Sequence, residues 1–314
     1  MKLQLWIRLV ITLITWTSLS PNAQVMGQTL QAAKVEQLCL VDDDRISEAS
    51  GLAISQFDSD LIWIHNDSDD SARLFLVGLD GKSRAVFDLV DERVPVDWED
   101  MCSFSINETA WLLVGDVGDN AINRHLVTPD IGQERACRLL LMREPKVPLA
   151  PTHGVQQANL TIAVHSTILF EYEDGPRNCE SVAVDTERQE ILLVSKSKST
   201  PLDCGVYRIP LTLDAGTTIA VAERIGSLNL AFAAAMDIAP NNRRMVIISS
   251  LGASIVNRNS NESWSQALNR DIQLFELPKR EAGETVCFGH NELELYLNSE
   301  HTRQPLWRVT LPSN

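Results

Sequence analysis

Between Val96 and Asn120 the chain sets Asp97, Glu99 and Asp100 around Trp98, then adds Asp116 and Asp119 in "WLLVGDVGDN". Carboxylates at this density beside a strand that reads as buried must be solvated, paired or metal-bound, because burying an unpaired charge is costly. No lysine or arginine falls between Asp97 and Asp119 to neutralise them. The acids recur: Glu48 in "SEASGLAIS", Glu99 in "VDWEDMCSF", Glu180 in "RNCESVAVD", Asp237 in "AAAMDIAPN" and Glu292 in "HNELELYLN". If the fold brings these five together, like charges raise one another's pKa or recruit a cation. Calcium suits such a set of hard oxygen donors. An acid that accepts backbone N–H groups from a neighbouring unit would recur in the same phase with no ligand at all.

A second group follows the next strand of each unit. "HNDSDD" holds His65, Asn66, Asp67 and Asp70, "GDVGDN" holds Asp116, Asp119 and Asn120, and "SKSKS" puts Lys196 and Lys198 in the equivalent place. His65, Asp67, Asp116 and Lys196 are therefore candidate contacts for a small polar or phosphorylated ligand at one rim. Asx turns would account equally for Asp119 and Asn120.

The elements that must position these residues are strands. The five acids are 51, 81, 57 and 55 residues apart, and each precedes or opens a short apolar run, a polar turn and usually a second run rich in Val, Ile and Leu. Runs such as "ARLFLVGLDG", "CRLLLMRE", "GVYRIPL" and "LWRVTLP" add antiparallel hairpins, with turns such as Asp80-Gly81. No long amphipathic helix is present, "NESWSQALNR" being the nearest candidate for one short turn of helix. The expectation is an all-β chain, a β-propeller of four-stranded antiparallel blades. Five blades are favoured; a sixth could come from residues 145–175 or from "VEQLCLV" with "LWRVTLP" closing the ring. A β-sandwich gives no reason for the phased acids.

Residues 1–27 stand apart: Lys2 and Arg8, an apolar run "LVITLITW", then "SLSPNAQVMG" read as a secretory signal cut after Gly27. The remainder, 28–314, is one propeller domain with no membrane span, secreted or periplasmic. Removing the leader takes the formal charge from -15 to -17, which repels nucleic acid and attracts cations. Cys39, Cys102, Cys137, Cys179, Cys204 and Cys287 lack zinc-site spacing. In an oxidising compartment they suggest up to three disulfides; of the fifteen pairings of six, 179 with 204 and 102 with 137 are the preferred local pairs, which would leave 39 with 287. No nucleophile elbow, P-loop, HExxH or dinucleotide fingerprint occurs.

"SGLAIS", "LIWIHNDSDDSARLFLVGLDG", "VDWEDM", "LLVGDVGDN" and "NCESVAVD" resemble a group of poorly characterised secreted bacterial propeller proteins over roughly residues 45–310. The opening "SGLA" more loosely resembles the calcium-dependent propellers that include gluconolactonase, paraoxonase-like hydrolases and phytase-like proteins. That resemblance implies calcium at the channel mouth on Glu48, Glu99, Glu180 and Asp237, activating water or a lactone or ester carbonyl. The asparagine ligands it also implies are not matched at the phased positions. Two functions result: an exported module binding a small polar ligand or an envelope protein or glycan, with a structural or functional cation, and, as the alternative, a calcium-dependent hydrolase of a small ester, lactone or phosphoester.

Overall fold

A computed structural model describes residues 30–67, 70–90, 92, 95–124, 136–147, 157–197 and 202–313, of which 157–159 are described by backbone alone. The expected leader lies outside them. Strand β1 (Lys34–Leu40) comes first. Then β2 (Ala49–Ile54), β3 (Leu61–Asn66), β4 (Arg73–Gly78) and β5 (Ser83–Val90) pair antiparallel in succession. The same meander repeats in β6 (Trp98–Ile106), β7 (Thr109–Asp116), β8 (Cys137–Arg143) and β9 (Gln157–Tyr172). It repeats again in β10 (Cys179–Asp185), β11 (Glu190–Ser195), β12 (Cys204–Pro210) and β13 (Gly216–Leu228). The fourth meander is β14 (Ala235–Ile238), β15 (Arg244–Ser249), β16 (Gly252–Asn257) and β17 (Gln273–Phe275), with helix α1 (Trp264–Ala267) between its last two strands. Finally β18 (Cys287–Phe288), β19 (Glu294–Leu297) and β20 (Pro305–Thr310) pair in order, and β1 joins β20 as the fourth member.

Burial explains the composition of the strands. In β2, β3, β10 and β14 every residue is buried, so these strands show no solvent face, and their polar members, such as His65, Glu180, Asp185 and Asp237, are buried with the rest. The outer strands β5 and β13 alternate or stay exposed, as the perimeter of a stack requires. Five apolar cores fill the gaps between successive meanders, and the fifth packs Leu52, Ile62 and Phe75 of the first meander on Cys287, Tyr296 and Leu306 of the last. The first strands touch in cyclic order, β2 to β6, β10, β14, β18 and back to β2. A cavity of about 180 Å³ is lined by Ile54, Ser103, Val184, Ile238 and Phe288, one residue from each of those five strands. The architecture is nearly all β and propeller-like.

Three expectations are corrected. Within 145–175, the described residues 157–172 form one long strand, not a further sheet; β9 runs antiparallel to β8 and parallel to both β5 and β13. "VEQLCLV" and "LWRVTLP" do pair, but inside the fifth meander. The six cysteines are unbonded. Five are buried, and the thiols of three of them donate to carbonyls: Cys179 reaches Ser181 O and Val194 O, both at 3.4 Å, Cys204 reaches Leu230 O at 3.2 Å and Cys137 reaches Val117 O at 3.9 Å. The surmised helical turn is α1, held by a capping box in which Ser263 accepts from Gln266 N and Gln266 accepts from Ser263 N. Among the described residues no helix is long and apolar enough to cross a membrane.

Candidate functional site

Because the strands of each meander alternate in direction, the start of a first strand and the end of a second strand lie at the same end of the sheet. Glu48, Asp97, Glu99, Glu180 and Glu284 sit at or just before the starts of first strands; Asp67, Gly118, Lys196 and Glu300 follow second strands. Three first strands break register here, at Ala49/Gly51, Trp98/Asp100 and Cys179/Val182. Such bulges re-aim side chains at the end of a sheet.

The result is a cluster of carboxylates. Oxygens of Glu99, Glu180 and Glu284 lie within 4.8 Å of one another, and oxygens of Asp67, Asp97 and Glu99 do likewise, so Glu99 belongs to both triads. Lys196 Nζ is ion-paired to Glu180 and lies 3.6 Å from Glu284. Asn178 steadies Glu180 by donating Nδ2 to its Oε1 at 2.8 Å. Glu99 is 3% exposed, and among the described residues its carboxylate accepts no hydrogen bond and forms no ion pair. Burial, then the charges of Glu180, Asp67 and Asp97, push its pKa well above the usual carboxylate range. Burial also raises Asp97, which shares a hydrogen bond with Asp67. Two carboxyl groups in that contact cannot both be ionised unless a cation lies between them. Gly118 makes room: a Cβ there would lie 2.1 Å from Glu99 Oε1 and 2.4 Å from Asp97 Oδ2. Glu300 is pushed up to about 7 by burial and by Glu284, with Glu48 contributing.

The remaining sequence candidates lie elsewhere. Asp237 is buried and holds strands together, its oxygens accepting from Ile238 N at 2.8 Å and from Phe288 N of β18 at 2.7 Å. Burial raises its pKa to about 7. Glu292 lies in the β18–β19 turn against Asn241, away from the cluster; Glu284 occupies the equivalent place in the fifth unit. Asp100 is no rim residue: it is fully buried and accepts from Met101 N at 2.9 Å, Val182 N at 2.9 Å and Met236 N at 3.0 Å, stitching three meanders. Asp116 is buried between Arg124 and Arg138, each 2.8 Å away, which hold its pKa low against the opposing effect of burial. His65 is buried edge-on against Trp98, and burial takes its pKa down to about 4. Gly51 in "SGLA" is what admits the ring, since a Cβ there would lie 2.1 Å from His65 Nε2. Asp119 folds its own loop, accepting from Asn123 N and Arg124 N at 2.9 and 2.8 Å.

Sequence reasoning missed Glu284, Glu300 and the pairing role of Asp97. The signal for Glu284 was available, because "ETV" repeats the spacing of "ESV" at Glu180.

No family model matches the chain, and no curated protein does. Among solved structures, it is similar to the WD40 domain of Neurospora crassa Pan2, at 12% identity over 92% of this chain and 99% of that one, TM-score 0.44. It is also similar to the apo form of the soluble aldose sugar dehydrogenase of Escherichia coli, at 11% identity over 89% and 100%, TM-score 0.44. A third is a putative oxidoreductase (glucose dehydrogenase) of Thermus thermophilus, at 10% identity over 88% and 99%, TM-score 0.41.

Proposed function

We propose that the five meanders are the four-stranded blades of one five-bladed propeller over residues 28–314, and that it is an exported binding module with a divalent cation at one mouth of its axis. The observation that carries this is Glu99: a buried carboxylate with no hydrogen bond or ion pair among the described residues, shared by two carboxylate triads. Such a group is costly unless it is protonated or meets a cation. Glu99, Glu180 and Glu284, with Asp67 and Asp97, would hold the ion; an all-oxygen donor set with no imidazole or thiol fits calcium. Glu48 lies at the outer edge, near Glu300. Asp237 and Glu292 are left out of this set. The polar mouth formed by Asp67 and Lys196 then receives a small polar ligand or a group on an envelope protein or glycan. His65 and Asp116 support it from behind.

Thermal unfolding tests the cation. Calcium should raise the melting temperature of the wild type over that in chelator, a stabilisation of about 2.7 kcal/mol at a hundredfold excess over Kd. It should do much less for Glu99→Gln. A wild type indifferent to calcium would defeat the reading. Export is checked separately, by a mature N-terminus near residue 28 in the native host.

One observation favours hydrolysis of a small ester, lactone or phosphoester as a second reading: the Glu300 carboxyl contacts Glu284 at the edge of the cluster, with Lys196 3.6 Å from the same Glu284. Calcium, when bound, would supply Lewis-acid charge. Glu300 would take up or release the proton and Lys196 would steady an anionic group. Turnover across the three substrate classes that chelator abolishes would establish it; none on any class would remove it.

A further inference from the structure

Beside the carboxylate cluster, between the fourth and fifth meanders, lies a cavity of about 360 Å³ that Glu284 borders and that Phe232, Leu251, Leu277, Pro278 and Arg280 help to line. The arginine is the unusual member. Its Nη1 donates to Thr285 O at 3.3 Å and to Asn298 O at 2.9 Å. Its Nε is sealed from solvent without an acceptor, Nη2 has none among the described residues, and no carboxylate there pairs with it. The group stays cationic at neutral pH even though burial lowers its pKa to about 10. A buried cation left with carbonyl partners alone is destabilising, and a bound anion would relieve it.

The surroundings are shaped around that edge. A Cβ on Gly283 would lie 2.7 Å from Arg280 Cζ and 2.8 Å from Nε, so only glycine lets the chain pack this closely over the guanidinium and close off its Nε. Phe232 has φ 57, a conformation that bulky residues avoid, and is nevertheless 45% exposed. Leu251 beside it is 43% exposed. Lys279 lies at the rim, exposed. Of the two acids in the lining, Glu276 is exposed and Glu284 is engaged by Lys196 and Glu300.

We infer that this cavity binds a small organic oxyanion, its charged head on Nη2 of Arg280 and its apolar body against Phe232, Leu251 and Leu277. The planar guanidinium holds the N–H groups of Nη2 in a fixed direction, which suits the oxygens of a carboxylate or phosphate. The site does not need the cation, so the two readings stand or fall separately.

Titration calorimetry in chelator, with benzoate, phenyl phosphate and benzyl alcohol as probes, tests this. Benzoate or phenyl phosphate should bind saturably at one site, and the tighter of the two identifies the head group; benzyl alcohol should not bind. Arg280→Lys, which keeps the charge but loses the fork, should weaken binding about tenfold to a hundredfold. Phe232→Ser, at an exposed position that leaves the fold intact, should weaken it severalfold, and Glu99→Gln should leave it unchanged. No saturable binding of either anion, equal binding of the neutral alcohol, or undiminished affinity in Phe232→Ser would each overturn the proposal, the last even if Arg280→Lys does not fold.

Discussion

Glu99 and Asp100 are consecutive residues of one strand, both buried, and they solve the problem of buried charge in opposite ways. Asp100 accepts three backbone N–H groups, from its own strand and from the first strands of the third and fourth meanders, and these oppose the burial that pushes its pKa well above the usual carboxylate range. Glu99 faces other carboxylates, whose charge the nearby Lys196 ammonium offsets only in part, and its side chain accepts nothing among the described residues. A carboxylate satisfied by the backbone needs no ligand and belongs to the framework. One left among its own kind is an open demand for a cation or a proton, and the demand lies where the strand ends converge.

The sharpest way to break this contrast is Asp100→Ala. Three buried donors lose their acceptor at about 1–3 kcal/mol each, so the loss should be about 3–9 kcal/mol in denaturant unfolding, the same with or without calcium. A cost near zero would mean that Asp100 is not the stitch described.

The pH dependence comes next. Asp237 and Glu300 are both pushed up to about 7 in the folded protein, well above ordinary carboxyl values. The folded state therefore binds more protons than the unfolded state between about pH 4 and 7, and stability falls as pH rises through that window. In chelator the unfolding free energy from urea titration should be larger at pH 5 than at pH 8, by on the order of a few kcal/mol in total. The opposite slope would show that these carboxyls are already compensated.

A smaller effect is expected of Glu99→Gln in chelator at pH 8. Removing a charge held against its neighbours should stabilise the metal-free protein by on the order of 1 kcal/mol, the reverse of the Asp100 result. Glu292→Gln should do least, within about 0.5 kcal/mol and with no change in the response to calcium, whereas Glu284→Gln should weaken that response. Equal behaviour of the two variants would show that the fifth acid has been placed in the wrong turn.

Much of the fold was legible because it is written as period. Continuous runs ending in polar turns at intervals near fifty residues specify stacked meanders; Glu99 and Glu180 carry the phase in the same place, whereas Ser50 holds it in the first unit and Glu48 falls in the register place of Asp97. The failures have local causes. In the fourth unit Ala234 and Ala235 stand where an acid was sought, and Asp237, further along the strand, turns its carboxylate sideways to Phe288 N. In the fifth unit β18 is so short that "ELELYL" of the second strand was read as the first, which moved the acid from Glu284 to Glu292. Asp116 looked like a ligand because Arg124 and Arg138, which neutralise it, lie 8 and 22 residues further along the chain. Long-range pairing leaves no mark in a short window of sequence, and neither does a bulge that re-aims two neighbouring carboxylates.

The pairing of β1 with β20, Lys34 against Thr310 at one end and Leu40 against Pro305 at the other, also governs the order of folding. Four meanders close through neighbours in sequence and can form as each segment becomes available. The fifth waits for strands from opposite ends of the chain, a contact across more than 260 residues, and loop closure over that span is the slow step. Until it happens, the edge of β20 and the apolar surface between the first and last meanders stay open to wrong partners. A cut or deletion within residues 34–40 should therefore leave most local pairing intact while removing the latch, and the chain should aggregate before it unfolds.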